Sequence, residues 1–190
     1  MSSPIICSKM DNHQLLRIIT RHAVLRKYYI GTFPENKLPA PTRYGFMFVN
    51  TESRIGIMGH WVLNFICSNK EIIFFDSFGR HPIEYGRNIA LFCNRFDKLK
   101  LCGRKQIQSN TSITCGAYCV YVAMKLCQEE SVRKIMQTFS LKNLQRNDLL
   151  VEKYVTRLAH GGKLACSRDL CGVHTFNTRC QLKCKCTNFV

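Results

Sequence analysis

Apolar positions recur along this chain in two rhythms. Over residues 13–29 (HQLLRIITRHAVLRKYY), Leu15, Ile18, Ile19 and Leu25 fall on one face at helical spacing with His22 among them, and Asp11 or Asn12 can cap the start. Gly31 and Pro34 break that pattern, and 34–43 (PENKLPAPTR) holds three of the five prolines and reads as a loop. β-rich runs follow at 44–50 (YGFMFVN), 60–67 (HWVLNFIC) and 72–76 (IIFFD), and the polar turn Ser68-Asn69-Lys70-Glu71 makes the last two a hairpin. Residues 84–97 are expected to be helical, and 99–107 (LKLCGRKQI) alternate weakly as a further strand. The run 116–128 (GAYCVYVAMKLCQ) is mostly apolar and rich in helix formers, the signature of a buried helix. A second amphipathic helix, 141–159, ends at Gly161-Gly162. Strands are central and helices are segregated around them, so the expected class is α+β.

Length and composition restrict the possibilities. The 190 residues fit one domain, 1–160, with a distinct appendage, 161–190. With 46% hydrophobic and 21% charged residues the chain is globular, which excludes wholesale disorder. No stretch reaches the roughly 18 apolar residues of a membrane-spanning helix. The start, MSSPIICSKMDNH, lacks the apolar centre of a secretory signal, so an intracellular setting is expected. Twelve cysteines there are thiols, metal ligands or catalytic groups rather than a disulfide framework. Charge adds most: 28 Lys and Arg against 12 Asp and Glu give +16, which calls for a polyanionic partner, nucleic acid first. The excess is uneven. Residues 1–50, 80–105 and 157–190 each carry +5, whereas 51–79 carry −1. The near-neutral window is where chemistry is expected, with a basic coat around it.

Within and just beyond that window stand His60-Trp61, Asp76 ahead of Phe78-Gly79, Gln108 and Cys115-Gly116. Cys115 opens the apolar helix, where the positive end of the helix dipole lowers a thiol pKa and favours the nucleophilic thiolate. Gly116 behind it permits close approach of a backbone or substrate. Cys119 and Cys127, inside the same apolar run, read as packed thiols. Histidine titrates in the range a base and acid need, and His60 sits at the mouth of a strand. A carboxylate must then orient the imidazole, and Asp76 ends the next strand. A tight turn centred between Asn69 and Lys70 would pair Asp76 with Leu63, on the wrong face for His60; a bulge, or His60 lying just before the paired region, repairs this. A glutamine amide suits a developing oxyanion, and Gln108 has a rival in Gln106 two residues earlier.

The order His-Trp, acid before Phe-Gly, Gln, then Cys-Gly resembles the adenovirus-type (adenain-like) cysteine endopeptidases, within the wider group that includes the ubiquitin-like (SUMO) proteases. The resemblance covers roughly residues 28–130, through YYIGTFPENKLP, GHWVLNF, FFDSFG and QSNTSITCG. Adenovirus members usually carry glutamate where this chain has Asp76. The resemblance implies Cys115 as nucleophile, His60 as base, Asp76 as orienting acid and Gln108 in the oxyanion hole. It implies a central mixed sheet flanked by helices, a papain-like core in permuted order, with Cys115 starting the central helix. It further implies that Trp61 and Gly116 line a narrow substrate channel favouring glycine at the scissile bond. It implies a monomer that needs no cofactor for chemistry, acts on viral precursor proteins in the virion and host nucleus, and binds DNA but no membrane. Viral members can be activated by DNA and by a disulfide-linked peptide; Cys102, or alternatively Cys93, is the candidate thiol.

The tail differs from the rest. Cys166, Cys171, His174, Cys180, Cys184 and Cys186 could suit zinc by type, but no paired Cys-x-x-Cys appears, so reduced thiols are expected there. Arg168, Arg179, Lys183 and Lys185 suit nucleic acid in either case. Two other functions compete: a SUMO- or ubiquitin-deconjugating isopeptidase with the same active site, and a non-enzymatic basic nucleic-acid-binding protein in which His60, Asp76 and Cys115 are structural.

Overall fold

The computed structural model describes residues 10–41, 43–52 and 59–160. Helices α1 (Asn12–Arg21) and α2 (Ala23–Tyr28) lead into strand β1 (Tyr29–Pro34). Strands β2 (Gly45–Asn50), β3 (Trp61–Ile66) and β4 (Glu71–Phe75) follow, then α3 (Arg87–Cys93) and β5 (Lys98–Cys102). Helices α4 (Cys115–Cys127), α5 (Val132–Gln137) and α6 (Leu144–Ala159) complete the described domain. The expected cysteine-rich tail lies outside the described residues. The five strands form one mixed sheet in sequence order, antiparallel at β2–β3–β4 and parallel at its two outer pairs. The α+β expectation with a helix-flanked mixed sheet holds.

Why the strands read as near-continuous apolar runs follows from burial on both faces. Phe46, Phe48, Trp61, Leu63, Phe65 and Phe75 face the larger core with α1, α4 and α6. The alternating set, Met47, Val49, Val62, Ile66, Ile72 and Phe74, packs against Ile89, Phe92 and Cys93 of α3. Helix α4 lies against the larger face with every residue but Lys125 buried. That accounts for a sequence apolar on all sides rather than striped.

The single helix expected over 13–29 is two. Asp11 caps α1 through a reciprocal capping box with Gln14. At His22 the backbone turns extended, φ −111° and ψ 114°. The break aims two donors at the end of α6: Arg21 donates to the Ala159 carbonyl, and His22 Nε2 lies 2.9 Å from the Leu158 carbonyl. Those carbonyls belong to the last helical turn, which lacks internal donors. All four apolar residues expected on the inner face are buried.

The loop between β5 and α4 is tied to α6 by buried polar groups. Asn147 donates to the carbonyls of Ile107 and Ser140 and accepts from the Ser140 N–H, at 2.7–2.9 Å. Asp148 accepts from Tyr118 Oη at 2.9 Å and more distantly from Thr114 Oγ1 and the Ser109 N–H. Asn147→Ala should therefore lower unfolding free energy by about 2 kcal/mol in chemical denaturation, because buried partners lose their bonds. The exposed Leu141→Ala, as control, should stay within about 0.5 kcal/mol of the parent.

Candidate active site

Cys115 is the first residue of α4, His60 immediately precedes β3 and Asp76 immediately follows β4. The pairing register differs by one residue from that of the tight turn considered from sequence: Leu63 pairs with Phe75 and Asn64 with Phe74. Continued by one step, this register sets Asp76 opposite Val62, which shares a strand side with His60. A one-residue change of register exchanges faces, so the shift brings the two groups together without a bulge. His60 also stands outside the paired region, anchored to Thr51 by the hydrogen bonds His60 N–H to Thr51 Oγ1 (3.1 Å) and Thr51 N–H to His60 O (2.9 Å).

His60 Nε2 lies 2.5 Å from Asp76 Oδ1. The other oxygen, Oδ2, accepts from the Arg80 N–H at 2.8 Å, so the carboxylate is held at both ends and its side chain is fully buried. With Nε2 committed to Asp76, Nδ1 is the imidazole atom left to face Cys115. The Phe78 and Tyr85 rings pack on the imidazole, with centroids 4.9 and 5.6 Å away and Tyr85 nearly parallel to it. The Arg80 guanidinium in turn lies 5.3 Å from the Phe78 centroid.

Burial by itself favours the neutral form of each of these groups, and the three oppose it together. Desolvation works against the His60 imidazolium, but hydrogen bonds to Asp76 and Cys115 and their charges outweigh it and carry its pKa up to about 9. Burial likewise raises the Asp76 pKa, and His60 reverses that, holding the carboxyl below its ordinary value. For Cys115, burial raises the pKa; the His60 interaction, then the backbone N–H groups of Trp61 and Gly116, bring it below the usual thiol value. Other cysteines show what burial does unopposed: Cys93, Cys102 and Cys127 are each pushed up to about 12. Cys119 goes well above its ordinary value, its thiol donating to the Trp61 carbonyl at 3.4 Å. The arrangement thus shifts both groups towards a Cys115 thiolate beside a His60 imidazolium.

The structure separates the two glutamines. Gln108 is 1% exposed and borders the same cleft as His60 and Cys115, a depression of about 510 Å³. Its Oε1 accepts from Ser77 Oγ at 2.6 Å and its Nε2 donates one hydrogen to the Ser112 carbonyl at 2.8 Å. Gln106 instead donates to the Gln108 carbonyl and to Asn110 Oδ1, bracing the loop from outside. Gly79, of the Phe-Gly pair, has φ +72°, and a Cβ there would stand 2.6 Å from Lys105 backbone atoms. Only glycine lets the loop carrying Gln108 run this close to the turn after Asp76.

Two expected site features are placed differently. Trp61 is 5% exposed, and its Nε1–H donates to the Met10 carbonyl at 2.8 Å. A Cβ on Gly116 would meet Met10 Cβ at 3.0 Å and Trp61 Cδ1 at 3.3 Å. The close approach that Gly116 allows is therefore made by Met10, and Trp61 lies beneath it rather than on an open channel wall. Cys102, the candidate for a peptide disulfide, has no exposed surface, and Cys93 is 1% exposed. Disulfide exchange needs an accessible thiolate, which burial denies to both as they stand. Among the described residues no group of three or more His, Cys, Asp or Glu could hold a metal; the tail residues considered for zinc lie outside them. Ser77, Tyr85 and Met10 were not singled out from the sequence, although Ser77 adjoins Asp76; Phe78 stood in the Phe-Gly pair, without its packing on His60 being foreseen.

Comparison with solved structures agrees with this architecture. The chain superposes on the crystal structure of the ASFV pS273R protease with a TM-score of 0.57 at 13% identity, covering 83% of this chain and 69% of that one. For the selenomethionine form of the same protease the values are 0.54 and 14%, over 83% and 70% of the two chains. The fold is thus shared with a protease, and the likeness does not single out the adenovirus-type branch. No protein-family model and no curated protein sequence matches the chain.

The charge pair sets a pH signature. Cleavage that needs a thiolate and a protonated imidazole should be bell-shaped in pH, falling on the alkaline side near about 9 as His60 loses its proton. Iodoacetamide alkylation of Cys115, which needs only the thiolate, should not fall there. In Asp76→Asn the carboxylate no longer holds the imidazole proton, so the alkaline limb of cleavage should move to lower pH, read from kcat/KM profiles.

Proposed function

We propose that this chain is a cysteine endopeptidase of a DNA virus or virus-like element that cleaves precursor proteins of the virion while held on DNA. The observation that carries the reading is the Cys115–His60–Asp76 line with Gln108 on the same cleft. Cys115 thiolate attacks the scissile carbonyl, and the carbonyl π electrons move to oxygen. The Gln108 amide and the Cys115 backbone N–H are the donors for that oxyanion. As the tetrahedral species collapses, the C–N bond breaks and His60 gives its proton to the leaving amine. Water, deprotonated by His60, then attacks the thioester, and the thiolate leaves. Asp76 holds the imidazole in place and stabilises its charge throughout.

The fold shared with the ASFV protease supports the viral assignment, and the +16 net charge supports action on DNA. A small residue, glycine, at the cleavage point is what the family resemblance implies. Cys115→Ala should reduce cleavage of a glycine-containing fluorogenic peptide of capsid-precursor type to background while far-UV circular dichroism is unchanged. DNA should stimulate the parent enzyme, with DNA affinity falling steeply as salt is raised. Preference for a SUMO or ubiquitin C-terminal conjugate, with no response to DNA, would overturn the virion reading in favour of a deconjugase. Retained cleavage in Cys115→Ala would overturn the thiol mechanism.

A further inference from the structure

Ser77 takes no part in the chemistry just described, yet it lies between its two halves. It follows Asp76 directly and none of its surface is exposed. Its carbonyl accepts from the Ile107 N–H at 2.9 Å and the Gln108 N–H at 3.2 Å, which fixes the loop that carries Gln108. Its hydroxyl donates to Gln108 Oε1 at 2.6 Å. A primary amide has two chemically opposite ends, and rotation by 180° would exchange them at little steric cost. Here the Ser112 carbonyl, which can only accept, sets the orientation by taking one Nε2 hydrogen, and the Ser77 hydroxyl holds it by donating to Oε1. In this orientation the second Nε2 hydrogen is the end that a developing negative charge needs. The flipped amide would present a carbonyl oxygen and repel it.

We infer that Ser77 is a positioning residue of the oxyanion site, holding the Gln108 amide by its oxygen in the orientation the Ser112 carbonyl sets and coupling it to the segment that carries Asp76. The inference rests on the acyl-transfer reading of Cys115 and Gln108. Asp76 and Ser77 then serve different parts of one reaction from adjacent positions: one sets the proton carrier, the other the oxyanion donor. A hydroxyl suits this place because it donates to Oε1, whereas an aspartate there would repel the amide oxygen and an alanine would leave it unpaired.

Two small reagents separate this role from general stability without any knowledge of the cleavage sequence. Acylation of Cys115 by p-nitrophenyl acetate passes through a tetrahedral oxyanion: an S–C bond forms, a C–O bond breaks and p-nitrophenolate leaves. Alkylation by iodoacetamide displaces iodide at a saturated carbon and develops no oxyanion. Both rates are measured on the full chain, with Cys115→Ala subtracted as background. In Ser77→Ala, acylation should fall about tenfold or more while alkylation stays within about twofold. In Gln108→Ala the same split should appear, and adding Ser77→Ala to it should change neither rate further, because the serine acts through the glutamine. Ser77→Cys, close in size with a weaker donor, should fall between the parent and Ser77→Ala, and it serves as the test if Ser77→Ala is poorly folded. Equal loss of both rates in Ser77→Ala, or a full additional loss in the Gln108→Ala background, would overturn the inference in favour of a packing role. A Gln108→Ala protein with the parent's ratio of rates would instead refute the oxyanion role of Gln108 itself, and parent acylation that does not depend on Cys115 would refute the acyl-transfer reading.

Discussion

Keeping a thiolate and an imidazolium beneath the protein surface costs several kcal/mol per ion unless each is answered by charge and hydrogen bonds. Most of the structure around Cys115 can be understood as that answer. The imidazolium faces a carboxylate at 2.5 Å, and the carboxylate's second oxygen is held by a backbone N–H from Arg80. The thiolate faces the imidazolium and backbone N–H groups of Trp61 and Gly116. Phe78 and Tyr85 cover part of the imidazole, which strengthens each of these interactions as it raises the cost of losing one. The neighbouring cysteines, buried without such partners, are held as thiols.

Such a pair needs a frame that does not yield. The sheet supplies it by burying both faces, so that β3 and β4 deliver His60 and Asp76 from strand ends set by packing over their whole length. Helix α4 supplies the third point, buried along nearly its full circumference and fixed at its start by Asp148 of α6 through Thr114, Tyr118 and Ser109. Polar groups tie loops and apolar groups tie elements. The geometry of the candidate site arises where these two kinds of restraint meet, at residues 107–115.

Much of this was legible along the chain, for reasons that differ by element. The β-rich runs and the apolar helix declared themselves because each must bury most of its side chains. The four site residues stood out by chemistry and order. Two features did not follow. Nothing in the spacing of residues 13–29 marks the break at His22, because the break is made by contacts to the end of α6, over 130 positions away. The spacing of the hairpin allowed two registers that differ by one residue, and a difference that small moves Asp76 to the opposite face. The choice between Gln106 and Gln108 was equally open, since both amides sit in one polar loop.

The sequence by itself determined which groups could act: a cysteine at a helix start, a histidine and an aspartate at strand ends, a glutamine in the loop between, and a strongly basic surface around them. These depend on residue type and short-range order, and both are written in the chain. The tertiary structure decided which of those groups meet. It chose the register that puts Asp76 on His60, the glutamine that borders the cleft, the serine that holds that glutamine, and the methionine that covers Trp61 and Gly116. Each is a contact between segments far apart in sequence, set by how two faces of one sheet are buried, and no local pattern carries that information.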